Sequence, residues 1–188
     1  VNFENATTGV VANFDSGSFG GWLTGGSYTG FEQMVGSAHN DVFTDSTGNY
    51  TLSGGAGNDE FFMRGGNDTV ITGTGNHDAV WLSDQAGVTT VDTAGSTLVT
   101  ISNWTDWEVD VSAFSRQDDN LVIDWNDIGT GARSLVIPDY YVDESRHNFR
   151  IRLARSVNGI TEENILESDV IWELANFKTA TEGDDLIF

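Results

Sequence analysis

The chain has 188 residues, 38% hydrophobic and 11% aromatic, enough apolar material for a packed core, which excludes a disordered chain. Its formal charge is −21, from 29 acidic and 8 basic residues, which argues against nucleic acid and anionic membranes as partners. There is no cysteine, hence no disulfide or thiolate metal site, and no apolar run approaches the ~18 residues of a membrane span.

From residue 36 the chain falls into nine-residue blocks: GSAHNDVFT (36–44), DSTGNYTLS (45–53), GGAGNDEFF (54–62) and MRGGNDTVI (63–71). TGTGNHDAVW (72–81) follows with one extra residue. The eighth places hold Phe43, Leu52, Phe61 and Val70; the sixth hold Asp41, Tyr50, Asp59 and Asp68, with Asp78 after the insertion. Each block reads as a six-residue turn and a three-residue strand. Glycine supplies the backbone angles of the turn, and one apolar residue per strand points inward. A single unit buries nothing, whereas stacked units share a core and give parallel strands with turns along two edges.

Beyond about residue 88 the nine-residue rhythm dissolves, although VTTVDTAGSTLVTISNW (88–104) still alternates as strand. VDVSAF, NLVIDW, SLVIPDYYV and HNFRIRLA read as further strands between 109 and 154. TEENILESDVIWELANF (161–177) is expected to include a short helix, with Thr161 as an imperfect N-cap because Asn164 stands where Glu or Gln would complete a capping box. In ATEGDDLIF (180–188) Gly183, Asp185 and Ile187 fit a fresh nonapeptide.

GGAGNDEFF resembles the GGxGxDxUx nonapeptide, U being a large apolar residue, of the repeats-in-toxin (RTX) or hemolysin-type calcium-binding proteins, and its neighbours lie in register with it. VNFENATTGVVANF (1–14) and FEQMVGSAHND (31–41) look like the wider turns that lead into such repeats. DDNLVIDWNDIGTGARSLVIPDYY, followed by FRIRL, resembles more loosely the calcium-binding-related segment that accompanies them. The resemblance implies an all-β fold: a parallel β-roll or β-helix solenoid with a C-terminal β-rich segment. The expected division is a calcium-binding roll over 1–99 (core 36–81), a β-rich segment over 100–178 continuing or packing on it, and a further repeat or secretion-type tail over 179–188. It also implies a structural or adhesive module of a larger bacterial protein, exported by type I secretion, folding when calcium binds outside the cell or at its surface. Its partners would be calcium and neighbouring domains of the same chain.

Carboxylates brought into register repel one another, and a hard divalent cation reverses that sign. Calcium accepts six to eight oxygens in irregular geometry, whereas zinc prefers nitrogen and sulfur. Asp41 and Asp59 are 18 residues apart, Asp59 and Asp78 are 19 apart, and these three are expected on one edge. The resemblance implies one calcium site from Gly36, Ala38 and Asp41 with Gly55, Gly57 and Asp59, and a second from Gly54, Ala56 and Asp59 with Gly73, Gly75 and Asp78. On the other edge Tyr50 replaces the expected aspartate. Asp68 is left with three outcomes: an ion shared with Asp45, one shared with carbonyl oxygens, or none.

Arg146, Arg150 and Arg152 alternate with bulky residues, and on a strand would share one face. That face is either solvated or a docking strip for anionic polysaccharide or an acidic module. Trp104 and Trp107, with Tyr140 and Tyr141, either fill the core or offer a sugar-stacking surface. Extracellular polysaccharide is thus an alternative partner, and a polysaccharide-modifying enzyme a third reading. No GxSxG, HExxH or GxxxxGK[ST] stretch occurs, and no catalytic residue is assigned.

Overall fold

The computed structural model describes residues 1–21, 30–83, 86–93, 95–102, 113–127, 131–157 and 160–180. Strands β1 (Val10–Asn13) and β2 (Ser18–Gly21) form an antiparallel hairpin. Short strands then follow at close intervals: β3 (Gln33–Val35), β4 (Val42–Thr44), β5 (Thr51–Ser53), β6 (Glu60–Met63), β7 (Gly66–Ile71), β8 (Asp78–Leu82), β9 (Gly87–Asp92) and β10 (Thr97–Ser102). Short β11 (Phe114–Gln117) and the longer strands β12 (Asn120–Asp127), β13 (Gly131–Ile137), β14 (Phe149–Val157) and β15 (Ile160–Leu166) complete the chain, with a 3-10 turn at Glu144–His147 and a helix α1 (Ser168–Ala180).

Consecutive strands from β3 to β10 alternate between two sheets. One has the order β15-β14-β10-β8-β6-β4-β1-β2, the other β11-β12-β13-β9-β7-β5-β3. Strands two apart in sequence pair in parallel through this stretch, because each turn carries the chain across to the facing sheet. The inward positions align strand by strand. Phe43, Phe61, Val80, Val99 and Ile151 form one row, and Met34, Leu52, Val70 and Val91 the other, all buried. The rings of Phe43 and Phe61 stack at 5.2 Å. Burying each such side chain contributes roughly 1.5–3 kcal/mol.

The expected all-β parallel roll is corrected by this topology. Both sheets are mixed, mostly parallel, and a helix of 13 residues is present, so the arrangement is closer to α/β than to a pure β-roll. The antiparallel pairs are β1 with β2, β14 with β15, and β11, β12 and β13 in succession. They arise outside the nonapeptides, where short turns allow a strand to pair with its immediate sequence neighbour.

The helix also begins later than expected. Thr161 is not a cap; it lies in β15 opposite Ser156, and the helix starts at Ser168. Seven aligned residue pairs between β14 and β15 outweigh the weak local helix signal. The helix packs on β11 and β14, and its Ile171 is buried. Among the described residues no helix is long and apolar enough to cross a membrane.

Candidate functional site

The regularly spaced aspartates gather at the two turn edges. On the first, Asp41, Asp59 and Asp78 are buried and linked in a ladder. The Asp41 amide donates to Asp59 Oδ1 at 2.8 Å, and the Asp59 amide to Asp78 Oδ1 at 3.0 Å. The inserted residue before Asp78 is absorbed in the turn without breaking the ladder. Asp41 itself accepts from the Val10 amide (2.6 Å), the Ser37 amide (2.6 Å) and the Ser37 hydroxyl (2.9 Å). Asp59 Oδ2 and Asp78 Oδ2 are buried with no donor. The preceding asparagines form a parallel ladder, the Asn58 amide donating to Asn40 Oδ1 at 2.9 Å.

Glycines make this closeness possible. A Cβ at Gly36 would strike the Asp41 carboxylate and the Gly54 carbonyl, and one at Gly54 the Asp59 carboxylate and the Thr72 carbonyl. Gly55 stacks on Ser37, Gly73 on Gly55, Gly57 on His39 and Gly75 on Gly57. The Ala56 amide donates to Ser37 O at 3.1 Å, which leaves that carbonyl a second lone pair, whereas Gly55 O accepts from both the Thr74 amide at 2.8 Å and the Thr74 hydroxyl at 3.5 Å. Ala38 is exposed and Ala56 half-buried. Ser37 and Thr72, absent from the expected ligand sets, lie inside this cluster because they occupy glycine positions of neighbouring blocks.

On the second edge Asp45 and Asp68 come together. The Arg64 amide donates to Asp45 Oδ1 at 2.6 Å and the Tyr50 amide to Asp68 Oδ1 at 2.9 Å. The two carboxyls are near enough to share a hydrogen bond, which requires one of them to be protonated. Ionised, both leave a buried Oδ2 without a donor. Tyr50, in the place of the missing aspartate, turns its hydroxyl to Ser46 Oγ at 2.7 Å. Asn49 and Asn67 continue the pattern, accepting from the Asn67 amide at 2.7 Å and the Val88 amide at 3.3 Å.

Burial pushes these carboxyls upward. Asp45 is raised to about 8, by desolvation first, against the Arg64 amide and reinforced by the Asp68 charge. Asp59 rises to about 7, by desolvation against the Asp41 amide, with the charges of Asp41 and Asp78 adding to it. Asp68 rises to about 6 by desolvation, opposed by the Tyr50 amide and the Asp45 carboxyl, and Asp78 also rises by desolvation, opposed by the Asp59 amide and the Thr72 hydroxyl. Crowded buried carboxyls must hold a proton or be matched by a cation.

The residues fit a hard divalent ion in their chemistry: oxygen donors, four buried carboxylate oxygens lacking donors, and turn carbonyls stacked beside them. Among the described residues no three acidic or histidine side chains converge, so an ion here would draw on carboxylate pairs and backbone carbonyls together.

The expected arginine strip is divided. Arg146 lies in the 3-10 turn, not on the strand, and is ion-paired with Asp92 and with Asp143 at 3.4 Å. The turn precedes β14 because Asp143 caps it, accepting from the Ser145 amide. Arg150 and Arg152 do share the outer face of β14, where Arg152 lies 3.5 Å from Glu163 and over the Trp81 ring. Trp104 and Trp107 lie outside the described residues. Tyr140 is fully buried and belongs to the core, not to a sugar-binding surface.

The chain matches no protein-family model, and no curated protein matches it.

Proposed function

We propose that this chain is a calcium-binding module of the repeats-in-toxin type, part of a larger secreted bacterial protein, in which ion binding is coupled to folding and the folded module serves as a structural or adhesive element. The observation that carries the reading is the set of buried, donorless oxygens on Asp45, Asp59, Asp68 and Asp78. The nonapeptides and the net charge of −21 support it. Asp41, Asp59 and Asp78 with the turn carbonyls around Gly36, Gly54, Gly55 and Gly73 would hold ions on the first edge, Asp45 and Asp68 on the second. Bound calcium supplies the positive charge that lets these carboxyls ionise in place. At the low calcium inside a cell the ladders repel and folding is opposed; outside, binding favours the folded state.

Calorimetric titration of EDTA-treated protein, with circular dichroism alongside, tests this. Saturable calcium binding and a rise in Tm are expected, with magnesium about tenfold weaker or more because it demands tighter octahedral order. At calcium about 100 times Kd, each independent site adds roughly 2.7 kcal/mol of stability. A Tm indifferent to both calcium and EDTA would overturn the reading. Polysaccharide binding remains the second reading, favoured by Arg150 and Arg152 lying together on an outer face.

A further inference from the structure

Where α1 meets the Glu144–His147 turn there is a cavity of about 530 Å³. Three rings line it: Tyr141, His147 and Trp172. His147 and Trp172 are 4.7 Å apart between centroids, Tyr141 and Trp172 6.1 Å. The rings are held from behind. Tyr140 is buried against His147 at 4.5 Å and Trp172 at 5.8 Å, and its carbonyl accepts from His147 Nε2 at 2.7 Å. A carbonyl can only accept, so Nε2 carries the hydrogen and the imidazole is fixed in orientation. Trp172 nevertheless stays 40% exposed, on a helix whose preceding residue, Ile171, is buried.

Apart from Val142 and Ser168 the rest of the lining is acidic, with Asp143, Glu144, Asp169 and Glu173, and it includes neither Lys nor Arg among the described residues. Asp143 is already matched by Ser145 and Arg146. Glu144, Asp169 and Glu173 form no ion pair among the described residues. Preset ring faces beside carboxylates that have no ion-pair partner attract an organic cation twice over, through the ring quadrupoles and through charge. The volume suits a side chain or small ligand. A guanidinium fits better than an ammonium, because it is planar, weakly hydrated, stacks on rings and forks onto carboxylates. The protein already uses this chemistry beside the cavity, with Arg116 Cζ 4.5 Å from the centre of the Tyr141 ring.

We propose that this cavity is a binding site for a guanidinium-bearing ligand, either an arginine side chain within a peptide or a free arginine-like solute, with Tyr141, His147 and Trp172 supplying the apolar walls and Glu144, Asp169 and Glu173 the charge. The site shares no residue with the carboxylate ladders, so its failure leaves the calcium reading untouched.

Titration calorimetry on the whole chain, at constant saturating calcium, tests it with arginine amide, the peptide acetyl-Gly-Arg-Gly-amide, citrulline amide as the uncharged isostere, and choline. Arginine amide or the peptide should bind one to one, with citrulline amide about tenfold weaker or more and choline weaker than arginine amide. A peptide preference of about tenfold or more assigns the site to polypeptide partners; equal affinities assign it to the free solute. Trp172→Ala and, separately, Glu173→Gln should each weaken binding about fivefold or more, with an unchanged circular dichroism spectrum. Glu173 is exposed on the helix, so its variant keeps the test valid if the Trp172 variant misfolds. Equal binding of citrulline amide, tighter binding of choline, no saturation by about 10 mM arginine amide, or full affinity in the Glu173 variant would each overturn the proposal.

Discussion

The backbone amide of Asp41 donates to Asp59 Oδ1 across 18 residues of sequence, while Asp59 Oδ2 lies buried with nothing to donate to it. One carboxylate therefore does two opposed things: it ties adjacent turns together and strains them with uncompensated charge. Asn and Ala substitutions separate the two. Asp59→Asn keeps an acceptor and removes the charge, so in EDTA at pH 8 the variant should unfold at higher urea than the parent, while calcium affinity falls about tenfold or more. Asp59→Ala leaves the Asp41 amide without its partner and should cost about 1–3 kcal/mol in urea unfolding.

The raised carboxyls set a pH dependence. A carboxyl whose pKa is higher in the folded state holds its proton more tightly there, so its contribution to stability is complete below the ordinary value of 3.8 and is lost as pH climbs to about 6, 7 and 8 for Asp68, Asp59 and Asp45. In EDTA the Tm should fall steadily as pH rises through that window. Asp45→Asn should flatten the last part of the fall, since Asp45 titrates highest. Saturating calcium should remove most of the slope by replacing protons. A Tm in EDTA that climbs from pH 5 to pH 8 would contradict the assignment.

Gly54 is packed too closely for any side chain. Its Cβ position is taken by the Asp59 carboxylate and the Thr72 carbonyl, and the latter is backbone that cannot step aside. Gly54→Ala should destabilise by about 1–3 kcal/mol and weaken calcium binding together. Gly66 offers a contrast on the other edge: with φ at +106° and the Gly48 carbonyl against it, Gly66→Ala meets backbone strain as well as collision, and should leave the first-edge ladder intact. Differential scanning calorimetry with and without calcium distinguishes the two.

Phe61 stacks on Phe43 at 5.2 Å and aligns with Val80 in the fully buried inward row. Phe61→Ala should cost about 3–5 kcal/mol, from lost burial and the cavity left between neighbouring strands. Phe62→Ala, one residue on and facing outward, should cost much less. A comparable loss in both would mean that inward and outward faces had been misassigned.

The pattern in the residues reached some of this unaided. The eighth-place residues Phe43, Leu52, Phe61 and Val70 are all buried, and Asp41, Asp59 and Asp78 stack as their spacing requires. A strict short period constrains both which side chains face inward and which turns superpose, and both are local properties of the chain. Asp45 and Asp68 were harder to read because Tyr50 interrupts their edge, and their pairing depends on turns 23 residues apart.

Pairing over longer distances decided the rest. Where the nine-residue rhythm ends, alternation shows that a segment is a strand but not which strand it joins. The antiparallel hairpins, the helix at Ser168–Ala180 and the assignment of Thr161 to β15 follow from that choice, and so the chain is two mixed sheets with a helix rather than a uniform parallel roll. Placing β14 beside β10, across 52 residues, sets the Glu144–His147 turn next to α1 and brings Tyr141, His147 and Trp172 around one cavity. Periodicity governs neighbours along the chain, whereas that cavity exists only because side chains far apart in sequence are packed together by the sheets.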